Sequence, residues 1–228
     1  DAREGLTICD ATSAVFAMPV DFNKCDVVTW SWQKVLGGEA AHGMIALSPR
    51  AIERLENYQP QWPIPKVFRM TSNRKIIEGI FEGSTINTPS MLCVEDAIDS
   101  LNWVNEIGGL ESLIQKSNKS LKYIEEWVDK TNWVEFLSKD PKTRSNTSIT
   151  FKIKENWFKE KEEKLQRDIM KEITNLLIKE SVAYDINGYP KAPASFRIWG
   201  GGTVEPDDIN KLLPWIDWAY NKVRSSYA

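Results

Sequence analysis

The period of the hydrophobic pattern changes along the chain. Near the start, apolar residues come in short runs bounded by polar punctuation: "GLTICD", "DVVTW" and "HGMIALS". Runs of this length and composition predict β-strands, the first of them buried over residues 6–9. In "SPRAIERLENY", Ser48 suits a helix N-cap and Pro49 the first helical position. The order β-β-β-α with apolar strands predicts an interior α/β sheet rather than a half-exposed antiparallel one. The proline-rich "QPQWPIPKVF" predicts an irregular loop or edge segment.

From there the period becomes helical. "STINTPSMLCVEDAIDSLNWVNEIGG" passes from loop into a helix with Ala97, Ile98, Leu101 and Val104 at helical spacing. Gly108 and Gly109 mark a break, and a second amphipathic run follows through Leu110, Leu113, Ile114, Leu121, Ile124 and Val128. This connection predicts a boundary between one domain over residues 1–106 and a smaller α+β domain over residues 107–228. In the second, "NTSITFKI", "VAYDI" and "SFRIWG" read as strands, and Leu165, Ile169, Ile173, Leu176 and Leu177 as a helix stripe. A closing helix carries Ile209, Leu212, Leu213, Ile216 and Val223 on one face, with Pro214 expected to kink or interrupt it.

Composition narrows the class. The 228 residues are 42% hydrophobic and 27% charged, with a net charge of −3, which gives no electrostatic reason to expect nucleic acid or an anionic membrane surface. The lysine-rich "FKIKENWFKEKEEKLQR" also carries acids and reads as a solvated helix face. No apolar run reaches the ~18–20 residues of a membrane helix. Cys9, Cys25 and Cys93 are odd in number and lack metal spacing from the one histidine, so reduced cysteines, a cytoplasmic location and no metal are expected. The chain starts "DAREGLTICD" without Met and enters a strand almost at once, as a natural domain or a truncated chain does.

Two residues suggest chemistry. Asp10 ends the run "LTIC", and Lys34 lies just past "DVVTW". Both are candidates for one edge of a parallel sheet, where α/β folds bind ligands. A lysine amine and a carboxylate at neighbouring strand ends are what pyridoxal phosphate requires: the amine forms a Schiff base, and the carboxylate keeps the pyridinium nitrogen protonated. On spacing alone, a structural salt bridge is the commoner explanation.

"ICDATSA" followed by "SWQKVLGG", 24 residues from Asp10 to Lys34, resembles the phosphoserine aminotransferases of the class V pyridoxal-phosphate aminotransferases. The resemblance covers nearly the whole chain. It implies a fold-type-I α/β architecture, with the end of the large, mostly parallel-sheet domain followed by the small C-terminal domain. It makes Asp10 the pyridinium partner, Lys34 the catalytic Schiff-base lysine and Gln33 a cofactor-phosphate contact. "INTPSM" matches the family's Asn-Thr-Pro element, by which Asn87 and Thr88 would reach the partner subunit's cofactor phosphate across a homodimer. "FRIWGGGTVEPDDI" aligns with the family's Phe-Arg strand, making Arg197 the fork for the substrate α-carboxylate. Pro190 and Lys191 stand where many members have a His-Arg pair, and Lys191 would supply positive charge for substrate phosphate. His42 would face the active site or a subunit interface, or be structural. Gly37 and Gly38 are expected to leave room beside a cofactor.

The implied reaction transfers the amino group of L-glutamate to 3-phosphohydroxypyruvate in L-serine biosynthesis. The family's full chain is longer at its N-terminus, so this chain is expected to be a C-terminal portion that binds cofactor poorly alone. Other readings are a serine–glyoxylate aminotransferase, a cysteine desulfurase, or an inert chain serving only in assembly. Cys93 in a helix and Cys9 in a strand speak against the desulfurase, which needs a mobile cysteine.

Overall fold

The computed structural model describes residues 3–227. The chain divides into two compact units, Asp1–Val15 with Pro19–Glu106, and Phe16–Met18 with Ile107–Ala228.

The first unit is built on the strands β1 (Ile8–Asp10), β2 (Val27–Trp30) and β3 (Met44–Leu47), ordered β1-β2-β3. β1 and β2 are parallel, with Cys9 opposite Val28 and Asp10 opposite Thr29. β3 is antiparallel to β2, with Trp30 opposite Met44, so the apolar runs do not form one parallel sheet. The segment between β2 and β3 holds turns and no crossover helix, and without a crossover consecutive strands pair antiparallel. The expected burial of the first strand is also corrected. Val28 in the central strand is 2% exposed, but Ile8 in the edge strand β1 is 69% exposed.

Asp26 ties this sheet to the first helix. Its carboxylate accepts from Thr7 N at 2.8 Å and from Ser48 Oγ at 3.2 Å, and Arg3 lies 3.4 Å away. Ser48 then caps α1 (Pro49–Asn57) by accepting from Ala51 N at 3.1 Å, with proline in the first turn as expected. Past the proline-rich segment, β4 (Thr71–Ser72) and β5 (Lys75–Ile76) form a hairpin that the pattern did not predict. Its corner residues Asn73 and Arg74 both have positive φ, as a two-residue type I′ turn requires. The helix α2 (Met91–Glu106) buries Cys93, Ala97 and Val104, whereas Ile98 and Leu101, grouped with them by spacing, are exposed.

The second unit begins after left-handed Gly108 with α3 (Gly109–Lys130). The antiparallel sheet β6-β7-β8 consists of β6 (Val134–Phe136), β7 (Ser148–Ile153) and β8 (Phe196–Trp199). Between β7 and β8 lie α4 (Asn156–Lys159) and α5 (Glu163–Lys179), and α6 (Pro206–Arg224) closes the unit against α3 and α5. Ile149, Phe151 and Ile153 alternate inward along β7 and join Ile124, Ile173, Phe196, Ile216 and Tyr220 in the core. Each such side chain contributes about 1.5–3 kcal/mol relative to exposure. Trp133 stacks on Tyr220 at 3.8 Å, and the Asp217 carboxylate accepts from the indoles of both Trp127 (2.9 Å) and Trp133 (2.8 Å).

Two further expectations fail here, and so does one alternative of a third. The lysine-rich run is no single solvated helix: it spans the end of β7, α4 and the start of α5, and buries Phe151 and Phe158. "VAYDI" is not a strand, because Ser181 and Asp185 adopt positive φ. Pro214 does not interrupt α6. It sits on the exposed face, where Asn210, whose carbonyl loses its helical donor, is also exposed and open to water.

Candidate active site

In the first unit, the parallel pairing of β1 and β2 puts Asp10 on the edge at which β2 ends in Trp30 and the Lys34 turn begins. Asp10 Oδ1 accepts from Thr12 Oγ1 at 2.5 Å and from Thr12 N at 3.1 Å. The Thr12 hydroxyl, and then its amide, hold the Asp10 carboxyl below the usual carboxylate range. The group is therefore an anion at neutral pH, complementary to a cationic ring nitrogen.

Lys34 follows in an irregular turn and is half-buried, ahead of buried Val35 and Leu36. Ser100 Oγ on α2 donates to Leu36 O at 3.1 Å and fixes the end of that turn. Four buried polar atoms in the segments flanking Lys34 in sequence have no hydrogen-bond partner: Ser31 Oγ, Trp32 Nε1, Gln33 Oε1 and His42 Nδ1. Buried polar atoms are almost always satisfied, so each of these calls for a partner such as water or a ligand. At Gly38 a Cβ would lie 3.1 Å from the Trp32 ring, so the missing side chain makes room for that indole.

His42 stands edge-on to Trp32 at 5.3 Å between ring centroids, and its Nε2 accepts from Ser90 N at 3.3 Å. That bond links the segment after Lys34 to the loop carrying Asn87 and Thr88. Both of these are exposed just ahead of α2, and Asn87 O accepts from Thr85 Oγ1 at 2.6 Å. Asp10, Gln33, Lys34, His42, Asn87 and Thr88 thus all belong to one unit. Cys9 sits in β1 with its thiol pushed up by burial and by neighbouring Cys25, and Cys93 is buried in α2. Nucleophilic sulfur chemistry uses an accessible, low-pKa thiol; the Cys9 thiol is shifted the other way, and Cys93 is not accessible.

Arg197 and Lys191 belong to the second unit. Arg197 lies on β8 opposite Thr150, on the face away from buried Phe196 and Ile198. Its Nη2 donates to Asp185 Oδ2 at 3.1 Å and its Nη1 to the Tyr189 hydroxyl at 3.3 Å. The guanidinium lies over the Tyr189 ring at 4.7 Å, and Nε is buried without a partner. Lys191 is exposed in the turn closed by Ala192 N donating to Tyr189 O at 3.0 Å. Thr12, Asp185 and Tyr189 were not picked out from sequence. The Asp-x-Thr spacing is a signal for Thr12, whereas Asp185 reaches Arg197 through a left-handed turn that leaves no periodic trace.

Among the described residues, no helix is long and apolar enough to cross a membrane, and no cluster of His, Cys, Asp and Glu could hold a metal ion. The family model "Aminotransferase class-V" matches residues 2–170. A phosphoserine aminotransferase of Methanosarcina mazei is 53% identical over 98% of this chain and 58% of its own length, and that of Methanosarcina barkeri 54% identical over 97% and 57%. The chain thus spans somewhat more than half the length of these curated relatives. Among solved structures, phosphoserine aminotransferase from Bacillus circulans subsp. alkalophilus superposes with a TM-score of 0.72 at 18% identity, covering 97% of this chain and 55% of that one. An alanine–glyoxylate aminotransferase from Nostoc sp. superposes with 0.70 at 18% identity, covering 94% and 53%. With mixed α/β units that match these structures and a family match over most of its length, the chain belongs to the class V aminotransferases.

Proposed function

We propose that this chain carries the cofactor lysine and the substrate-carboxylate arginine of a phosphoserine aminotransferase. That enzyme moves the amino group of L-glutamate to 3-phosphohydroxypyruvate, as a cytoplasmic homodimer with shared active sites. The observation that carries this reading is the edge of the parallel pair: an ionised Asp10 in register with Thr29, on the strand that leads into Lys34 and its unpartnered polar neighbours. The identity to the Methanosarcina proteins favours this substrate pair over those of other class V enzymes.

The residues present fit pyridoxal phosphate. When bound, that cofactor supplies an aldehyde for an amine and a protonated ring that delocalises the electrons of a substrate carbanion. Asp10 would hold the ring nitrogen protonated. Gln33, with Asn87 and Thr88 of the partner subunit, would hold the phosphate. Lys34 would anchor the cofactor through its amine and then, once released, carry the proton removed from the substrate Cα. Arg197 would grip the α-carboxylate. Lys191 would add positive charge for the substrate phosphate, and His42 would brace the Asn87–Thr88 loop through Ser90. Residues 1–106 are read as part of the cofactor-binding domain and residues 107–228 as the small domain.

Turnover by the full-length protein with 3-phosphohydroxypyruvate against glyoxylate as amino acceptor tests the substrate assignment. Preference for the phosphorylated acceptor by at least about 100-fold in kcat/KM, about 2.7 kcal/mol, is expected. Preference for glyoxylate would favour the serine–glyoxylate class. Absence of both activities, with no cofactor bound, would favour a chain that serves only in assembly.

A further inference from the structure

We propose that Asp185 is a built-in stand-in for the substrate carboxylate, occupying the guanidinium of Arg197 until substrate displaces it, and that Tyr189 holds that guanidinium in the receiving orientation. The inference rests on the reading of Arg197 as the α-carboxylate site and adds to it the residues that set its affinity.

The loop that delivers both side chains is tied to the strand it serves. Arg197 N donates to Ile186 O at 2.9 Å, and Gly188 N donates to Ser195 O at 2.8 Å. The single bridge between Asn187 and Phe196 lies between these two bonds. Residues 186–188 therefore run antiparallel against residues 195–197. The approach is so close that a Cβ on Gly188 would lie 2.3 Å from Ser195 Oγ. Buried Ile186 anchors the loop, and the positive φ of Asp185 turns the chain immediately before it. Asp185 and Tyr189, four residues apart, thereby flank one guanidinium.

The two neighbours differ in kind. Tyr189 offers a ring face at 4.7 Å and a hydroxyl at 3.3 Å, a cation–π contact that orients the planar group without neutralising it. Asp185 offers a carboxylate at 3.1 Å on Nη2. Bidentate capture of an incoming carboxylate uses two adjacent guanidinium nitrogens, so one that takes the Nη2 hydrogen held by Asp185 displaces it, and one that takes the other Nη2 hydrogen brings a second negative charge beside it. The Arg197 side chain is 17% exposed but that of Asp185 is 89% exposed. An ion pair with so solvated a partner is weak, and releasing Asp185 to water costs little. Nε, buried with no partner, is the donor that the stand-in leaves unused and a bidentate substrate engages. The guanidinium is thus kept charge-balanced, yet open to a ligand of the same chemistry with better geometry.

The test compares full-length wild type with Asp185→Asn, Asp185→Glu, Tyr189→Phe and Arg197→Lys. Readouts are kcat and KM for L-glutamate and the dissociation constant of maleate, a non-reacting dicarboxylate, by calorimetry. Asp185→Asn removes the competing charge. It is expected to lower the KM for L-glutamate and the maleate constant about twofold to fivefold, with kcat within about twofold. Asp185→Glu restores an anion and brings both constants back toward wild type. Tyr189→Phe keeps the ring and raises KM by no more than about fivefold. An unchanged or raised KM and maleate constant in Asp185→Asn would overturn the stand-in. Unchanged constants in Arg197→Lys, whatever Asp185→Asn does, would overturn the carboxylate-site reading beneath it.

Discussion

Thr12 donates twice to a single oxygen of Asp10, through its hydroxyl at 2.5 Å and its amide at 3.1 Å. The pairing makes the last residue of β1 a fixed anion on the edge where β2 delivers the Lys34 turn, with both bonds on Oδ1. Because the two bonds lower the Asp10 pKa, losing the hydroxyl must raise it. Thr12→Val is therefore expected to move the acid limb of kcat/KM toward higher pH while the alkaline limb stays in place. A pH–rate profile of the full-length protein checks this. Asp10→Asn, which removes the charge altogether, is expected to cut kcat by about 100-fold.

A second pH dependence concerns stability. Asp26 accepts from Thr7 N and from Ser48 Oγ and forms an ion pair with Arg3, and its pKa is lowered, chiefly by the Thr7 amide. A carboxyl with a depressed folded-state pKa stabilises above its unfolded value of about 3.9, and that contribution disappears as pH falls through the folded value. Urea denaturation is expected to show wild type more stable than Asp26→Asn at pH 7. The gap should close progressively below about pH 4.

Much of the architecture was legible because helices repeat. The stripes through Leu113, Ile114 and Ile124, through Ile169, Ile173 and Leu177, and through Ile209, Leu213, Ile216 and Val223 are the buried faces of α3, α5 and α6. Short elements were harder. β6 is three residues long, and the β4–β5 hairpin depends on the left-handed pair Asn73 and Arg74, neither of which is glycine. Strand direction was not legible either: "HGMIALS" is as apolar as its neighbours, yet it reverses because no crossover helix precedes it. At the candidate site, the resemblance pointed to Asp10, Lys34 and Arg197. The residues that hold two of them in place, Thr12 for Asp10 and Asp185 and Tyr189 for Arg197, emerged only from the fold.

In the second unit, Asp217 satisfies two indoles at once. Asp217→Ala leaves the Trp127 and Trp133 N–H groups unpaired in a half-buried setting and is expected to cost about 2–4 kcal/mol. The measurement is the urea midpoint of the full-length protein, followed by tryptophan fluorescence. Asp217→Asn keeps one acceptor and is expected to lose about half as much.

Gly188→Ala forces a methyl group onto Ser195 Oγ, and the loop that carries Asp185 and Tyr189 must move away from β8. A destabilisation of about 1–3 kcal/mol is expected, together with a raised KM for L-glutamate. The double variant Gly188→Ala with Ser195→Gly, which relieves the clash with the Ser195 hydroxyl, is expected to recover part of both losses.

The central claim is that Lys34 is the amine that holds the cofactor. The direct measurement is borohydride reduction of the full-length protein with pyridoxal phosphate, followed by peptide mapping by mass spectrometry. The predicted result is one stable pyridoxyl label, on Lys34, and in Lys34→Ala neither the label nor turnover. A label on another lysine, or a Lys34→Ala protein that keeps both its label and its turnover, would contradict it.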